Sequence, residues 1–276
     1  MGLYKGKKMK LLKITEIQSM QLGLMKKLHN FLQENGIRYY LIAGSALGAV
    51  RHGGFIPWDD DIDIGMFRED YERFISIAGE FCSEYEVVNY RNKKNCDFAL
   101  TRIYFPNTYI EDSAIEKTKL DKRLYFDIFP LDNVPEDIDE QKQFEKKILK
   151  KKKTIEKIDT RNYNNKWYIL LVKKIYSLLL KPFRRHILSS FDKLARKYEN
   201  EKTDMVCSLC SQYSFKKQAM KKELYGTPVL HKFEDAMFFV PEKTDAYLIQ
   251  LYGGDYMEIP PVEKRRKGHN IYILEE

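Results

Sequence analysis

Apolar residues between Thr15 and Asn35 (Ile17, Met20, Leu24, Met25, Leu28, Phe31 and Leu32) return every three or four positions, which predicts an amphipathic helix with one buried face. Thr15 with Gln18 reads as a capping box at its start, and Asn35-Gly36 as its C-terminal stop. The next run, Ile37 to Ala43, is short, β-branched and aromatic, the pattern of a buried strand. Gly44-Ser45 then turns the chain into a short helix, SALGAVRH. A Gly-Gly-Phe-Ile-Pro loop leads to a second strand, Asp60 to Met66, whose Ile62, Ile64 and Met66 alternate with polar positions. A helix over Glu69 to Phe81 follows, then extended segments around Glu86–Tyr90 and Asp97–Phe105, and a strand from Leu124 to Phe129 that ends at Pro130. Strands with intervening helices predict a sheet domain of the α/β or α+β class.

The pattern changes after Pro135. Glu136 to Arg161 is Lys-rich and helical, with an unbroken run from Lys150 to Lys153. Trp167 to Ser190 is apolar but interrupted by Lys173-Lys174 and Lys181-Pro182, too broken to span a bilayer. Its alternation of basic and apolar residues fits an amphipathic helix lying on a membrane surface or a helix packed on the rest of the chain. Phe191 to Met220 reads as helical again, and the tail as strand (Met237–Val240), helix (Lys243–Tyr252) and a Gly/Pro-rich loop. The division expected is residues 1–135, a helical subdomain over 136–222, and a C-terminal segment, 223–276, that returns to the first.

Composition narrows the classes. With 276 residues, 43% of them hydrophobic, the chain can bury a sizeable core. Its net charge of +8 suits a phosphate-rich partner without choosing among nucleotide, nucleic acid and membrane surface. Four cysteines are too few to staple this length and read as reduced thiols, which points to the cytoplasm. Cys207 and Cys210 form a lone C-x-x-C with no second pair or nearby His, so two half-buried thiols on neighbouring helical turns are expected there rather than zinc. The basic start, Met1 to Lys10, lacks the apolar stretch and cleavage site of a secretory leader.

The chemistry concentrates in Ala43 to Gly65, AGSALGAVRHGGFIPWDDDIDIG. On a strand, side chains two apart share a face, so Asp61 and Asp63 point the same way. Two carboxylates so close repel one another unless a divalent cation lies between them, and hard oxygen donors suit Mg²⁺. An acidic surface loop is the alternative, but the half-buried pattern of Ile62, Ile64 and Met66 counts against it. Gly44-Ser45, where strand hands over to helix, offers unpaired amide groups, a close backbone approach and a hydroxyl to a phosphate, though the pair also serves as an ordinary turn and cap. Sixteen residues separate Ser45 from Asp61, room for a short helix and a return loop. Arg51 can grip a phosphate bidentately or simply close the helix end. Asp127 stands in an otherwise apolar strand and is the candidate third acid, while Asp132, after Pro130, is expected to cap a turn. Trp58, Tyr104, Tyr109 and Tyr125 are aromatic faces near these blocks; His52 follows Arg51, and His269 lies near the C-terminal loop.

A Gly-Ser turn followed by a D-x-D strand, with a later third Asp, resembles the nucleotidyltransferase superfamily that includes DNA polymerase beta. Within it, GSALGAVRHGGFIPWDDDIDIGMFREDYERF, FDIFPLDNVP and LIQLYGGDYMEIPP resemble, in order, blocks of the LicD family of phosphocholine transferases, to which fukutin-related proteins are similar. The Lys-rich middle matches no motif. The resemblance implies an α+β, nucleotidyltransferase-like mixed-sheet core with a helical insertion. It implies Asp61, Asp63 and Asp127 as a triad for Mg²⁺ or Mn²⁺, with Gly44, Ser45 and Arg51 at the phosphates; His52 and Trp58, by their place beside these blocks, are further candidate substrate contacts. It implies transfer of a phosphoalkyl group, phosphocholine from CDP-choline, to a hydroxyl of a cell-surface glycan or teichoic acid precursor that is lipid-linked in some cases. CMP would be released at the inner face of the membrane. The rivals are a CDP-ribitol or CDP-glycerol donor, nucleotidyl transfer with loss of pyrophosphate, and a non-enzymatic nucleic-acid-binding protein. The last is disfavoured by the acidic cluster, which would repel a nucleic-acid backbone.

Overall fold

In the computed structural model, residues 8–111, 121–158, 175, 178–265 and 268–275 are described. Strand β1 (Lys8–Leu11) leads into α1 (Ile14–Glu34), which buries Ile17, Leu24, Met25, Leu28 and Leu32 as its periodicity predicts. The start of α1 differs from expectation. Lys13 is the N-cap, and its N–H donates to the Glu16 carboxylate at 2.8 Å. Gln18 is drawn instead to the carbonyls of Ile56 (3.4 Å) and Asp59 (2.9 Å), so Thr15 and Gln18 make no capping box.

The predicted strand over 37–43 shrinks to β2 (Tyr40–Leu41), because α2 (Ala43–His52) follows at once and β3 (Asp63–Phe67) pairs only with Tyr40 and Leu41. Ala43, the hinge between β2 and α2, has φ 47°. An alanine in this left-handed region costs roughly 1–2 kcal/mol. Next come α3 (Arg68–Ile77), β4 (Glu86–Val88), β5 (Thr101–Tyr104), β6 (Thr108–Glu111) and β7 (Tyr125–Val134). β7 runs four residues past the expected stop at Pro130. On one edge it pairs with β5 as far as Ile128 and with β8 (Met205–Cys207) from Asp132, so Pro130, which has no N–H to give, falls between the two ladders there while standing opposite Met66 of β3 on the other edge.

β7 is the spine of a mixed seven-stranded sheet, ordered β2-β3-β7-β5-β4, with β8 on its far half and β9 (Met220–Lys221) beyond. β3 runs parallel to β7 and the other pairs are antiparallel.

After β7 come α4 (Ile138–Ile158) and α5 (Arg184–Ala195). The helical run expected over Phe191–Met220 is broken, because the polar stretch Glu199–Asp204 ends the helical pattern and Val206 and Cys207 pair with β7. Residues 159–174, 176 and 177 of the basic stretches lie outside the described residues. Two one-turn helices, α6 (Phe215–Gln218) and α7 (Lys222–Tyr225), precede the hairpin of β10 (Val229–Phe233) and β11 (Ala236–Val240), then α8 (Thr244–Tyr252). The chain closes with β12 (Asn270–Glu275), between β1 and β6.

The main core joins both ends of the chain: Leu24, Leu28, Ile62, Ile64, Phe126 and Ile128 pack in one cluster with Phe233, Tyr247 and Leu251. A smaller cluster gathers Val134, Phe144, Ile148, Phe191 and Leu209 under α4 and α5. Asp132 caps no turn. It is 1% exposed and takes both arms of Arg68 (2.7 and 2.9 Å), which also reaches Asp192 of α5 at 3.1 Å. This network ties α3, β7 and α5 together, and removing one partner from such a buried pair costs about 3–5 kcal/mol. No helix among the described residues is long and apolar enough to cross a membrane.

Candidate active site

The parallel register of β3 against β7 sets Asp63 directly opposite Asp127. On the other side of β7, Arg102 of β5 is opposite Asp127 as well. Side chains opposite one another across a ladder share a face, so Asp63, Asp127 and Arg102 form one row. The Arg102 Nε donates to Asp127 Oδ1 at 2.8 Å. Its guanidinium carbon lies 3.9 Å from the ring centre of Tyr125 and 4.4 Å from that of Phe98. Burial disfavours its charge, but Asp127 and the flanking tyrosines outweigh that and hold it protonated.

Asp59, Asp60 and Asp61 lie in the loop just before β3, with one carboxylate oxygen of each within 4.8 Å of the others. Two glutamines hold this loop. Gln18 accounts for the carbonyl of Asp59, and the buried Gln21 donates to Asp60 O (3.4 Å) and Tyr125 O (3.0 Å), bridging the acidic loop and the start of β7. A glutamine in the apolar stripe of α1 is the sequence signal for this contact. From the C-terminus, His269 gives Asp60 Oδ2 its N–H at 2.9 Å and sets its ring Nδ1 3.2 Å away.

At the β2–α2 turn, the Asp63 N–H donates to Ser45 Oγ at 2.8 Å, so this hydroxyl fastens the acidic strand and keeps its proton for another acceptor. A Cβ on Gly44 would come within 3.0 Å of Asp59 Oδ2, so the glycine lets that carboxylate close on the helix start. The Tyr247 hydroxyl caps the Ala43 N–H at 2.9 Å. Burial pushes the phenols of Tyr247 and Tyr252 far up, and the Asp63 charge adds to it, so both stay neutral beside the acids. Arg51 donates through Nη1 to the carbonyls of Tyr256 (2.9 Å) and Glu258 (3.0 Å), fixing the loop after α8. His52 meets the edge of Trp58, with ring centres 6.1 Å apart.

Each of the four aromatic faces near the site blocks, which could otherwise hold a cationic ligand such as choline, already carries a cation of the chain. Arg265 lies 4.2 Å over Trp58, Arg102 over Tyr125, Arg123 4.7 Å over Tyr104 and Lys122 5.7 Å over Tyr109. Cys207 ends β8 and Cys210 follows in a turn; both are free thiols, and burial pushes the Cys210 thiol up to about 12, so neither is a ready nucleophile.

Hard oxygen donors at such spacing, beside a turn that can accept phosphate, form a donor set that fits Mg²⁺ or Mn²⁺. Residues 36–169 match the model of the LicD/FKTN/FKRP nucleotidyltransferase domain. Over 277 aligned residues the chain is 30% identical to the lipopolysaccharide cholinephosphotransferase LicD of Haemophilus influenzae, covering 96% of this chain and all of that protein. Shorter stretches are similar to two others. The human ribitol 5-phosphate transferase FKRP is 56% identical over 48 residues, 17% of this chain and 10% of that protein. An uncharacterised protein of Rickettsia prowazekii is 34% identical over 115 residues, 39% of this chain and 43% of that protein.

Proposed function

This chain belongs to the LicD/FKTN/FKRP family, and on that footing we propose that it transfers a phosphoalkyl group from a CDP-activated alcohol to a hydroxyl of a glycan, releasing CMP. The observation that carries the reading is the cross-strand row Asp63–Asp127–Arg102 beside the acidic loop. An Asp on a later strand that pairs beside the acidic strand agrees with what the resemblance to a nucleotidyltransferase core of the DNA polymerase beta type implies; Arg102 was no part of that expectation.

Asp61, Asp63 and Asp127, with Asp59 close by, would hold Mg²⁺ or Mn²⁺, which neutralises charge on the diphosphate. The protein's own part is positioning. Gly44 and Ser45 receive the diphosphate at the start of α2, Ser45 with the proton it retains. Arg51 keeps the loop after α8 against the same helix. Asp127, gripped by Arg102 through Oδ1, takes the proton of the acceptor hydroxyl as the new O–P bond forms and the bond to CMP breaks.

Choline is the alcohol that the full-length relative favours. A second reading, a neutral polyol such as ribitol or glycerol, is favoured by the four aromatic faces already covered by cations. Incubation with CDP-choline, CDP-ribitol, CDP-glycerol and CTP with Mg²⁺ tests all of this. CMP from one CDP-alcohol is expected, and pyrophosphate from CTP instead would replace the reading with nucleotidyl transfer. Asp61→Asn and Asp63→Asn are expected to abolish turnover in a folded protein; a near-wild-type rate in either removes the metal assignment.

Membrane contact through 167–190 is also proposed. It is supported by Ile175, Leu178, Leu179 and Phe183, at helical spacing and 50–73% exposed, beside the exposed Arg185.

A further inference from the structure

We infer that a cavity of about 680 Å³ between β5, α4 and the loop 207–218 receives the nucleoside of the donor, a role that rests on the transfer reading above. The volume is in the range of small-molecule pockets. One wall residue connects it to the acid row: Arg102 lines it and grips Asp127. A diphosphate at Asp63 and Asp127 would therefore have its nucleoside end within one side chain of the cavity.

The lining suits a flat, hydroxyl-bearing ring. Phe98, Ile148, Leu149 and Phe215 provide apolar walls, and Lys152 and Arg102 bring positive charge that Asp97, Glu145 and Glu156 on the same wall offset. The Ser208 hydroxyl carries the assignment furthest. The residue is 2% exposed, lines the cavity, and its Oγ has no hydrogen-bond partner among the described residues. A buried hydroxyl left unpaired is expensive, and a base or ribose would supply the missing partner. Its surroundings are fixed: Lys152 Nζ donates to Ser211 O at 2.6 Å, Gln218 to Ser211 Oγ at 2.9 Å, and the Cys210 thiol to Ala99 O at 3.4 Å.

CMP titrated against the full chain by calorimetry tests the assignment. Saturable binding is expected, and Leu149→Trp, at a 46% exposed wall position that tolerates bulk, should weaken it by at least about tenfold through occlusion. Ser208→Ala should weaken it about two- to tenfold, the span of one neutral hydrogen bond. Circular dichroism checks that both variants are folded. Absence of CMP binding to the wild type, or an unchanged affinity in Leu149→Trp, overturns the inference. The CDP-alcohol assay separates the two levels. Unaltered KM in Leu149→Trp sinks the cavity while the transfer reading stands, and occlusion-sensitive CMP binding without any CDP-alcohol turnover sinks the transfer reading while the cavity stands.

Discussion

Arg102→Met isolates the charge balance of the row. Arg102 and Asp127 are each 15% exposed in their side chains, between the two limits for which ion pairs are well characterised. Breaking a fully buried pair costs about 3–5 kcal/mol, whereas an exposed pair contributes about 1 kcal/mol or less. Partial exposure puts the loss at about 2 kcal/mol. Methionine keeps the packing of the stem but forfeits the stacking on Phe98 and Tyr125, which adds about 0.5–1 kcal/mol for each ring. The expected destabilisation is about 3–4 kcal/mol, read as the change in unfolding free energy from urea titrations. Without its guanidinium, Asp127 is a carboxylate facing Asp63 across the ladder, so Mg²⁺ should stabilise the variant more than the wild type. At about ten times its Kd, a cation that binds only the folded state adds about 1.4 kcal/mol. Titrations with MgCl₂ against NaCl of equal ionic strength separate site binding from screening. A loss below about 0.5 kcal/mol would refute the pairing argument, and a variant that Mg²⁺ stabilises no more than NaCl would refute Asp127 as part of a cation site.

Gly48→Ala should destabilise by about 1–3 kcal/mol despite alanine's better helix propensity, because the new Cβ would sit 2.4 Å from the Gly54 carbonyl, where no soft side chain can yield; urea titration giving a more stable variant would contradict this. His29 and His52 both have lowered pKa values, from burial and, for His52, also from Arg51. The unfolded chain therefore binds more protons below the ordinary histidine range. Stability is complete above about pH 6.5 and falls as the pH drops, by at most about 1.4 kcal/mol per pH unit for each histidine. His29→Gln should flatten the slope between pH 7.5 and 5.5, and an unchanged slope would remove His29 as its source. Anionic vesicles should co-sediment the protein at low salt, with Leu178→Glu plus Leu179→Glu reducing the bound fraction; no sedimentation of the wild type ends the membrane reading.

How much of this was legible in the sequence depended on whether the deciding contacts were local. The face of α1 follows from spacing alone, and so does the presence of Asp63 and Asp127 on half-buried strands, whereas Asp61, expected on the same strand as Asp63, lies in the loop before it because β3 begins only at Asp63. The extent of a strand depends on its partner. Ile37–Ala43 has the composition for seven residues of strand, but β3 supplies two partners, and β7 outruns Pro130 because β8 arrives from seventy residues away. Register is equally non-local: nothing near Asp127 encodes that Asp63 will stand opposite it, or that Arg102 will close the row from the other side. Yet misfits do leave a local trace. Gln21 interrupts an apolar stripe and Arg102 interrupts an apolar strand, and a polar group in a core position must find a partner or destabilise the fold. Arg102 found its partner in the row, the carboxylate of Asp127, and Gln21 found acceptors for its amide nitrogen beside it, the carbonyls of Asp60 and Tyr125, while its Oε1 is buried with no hydrogen-bond partner among the described residues. A polar residue out of pattern therefore indicates where in this chain the distant contacts converge, even though it cannot indicate which contact it will make.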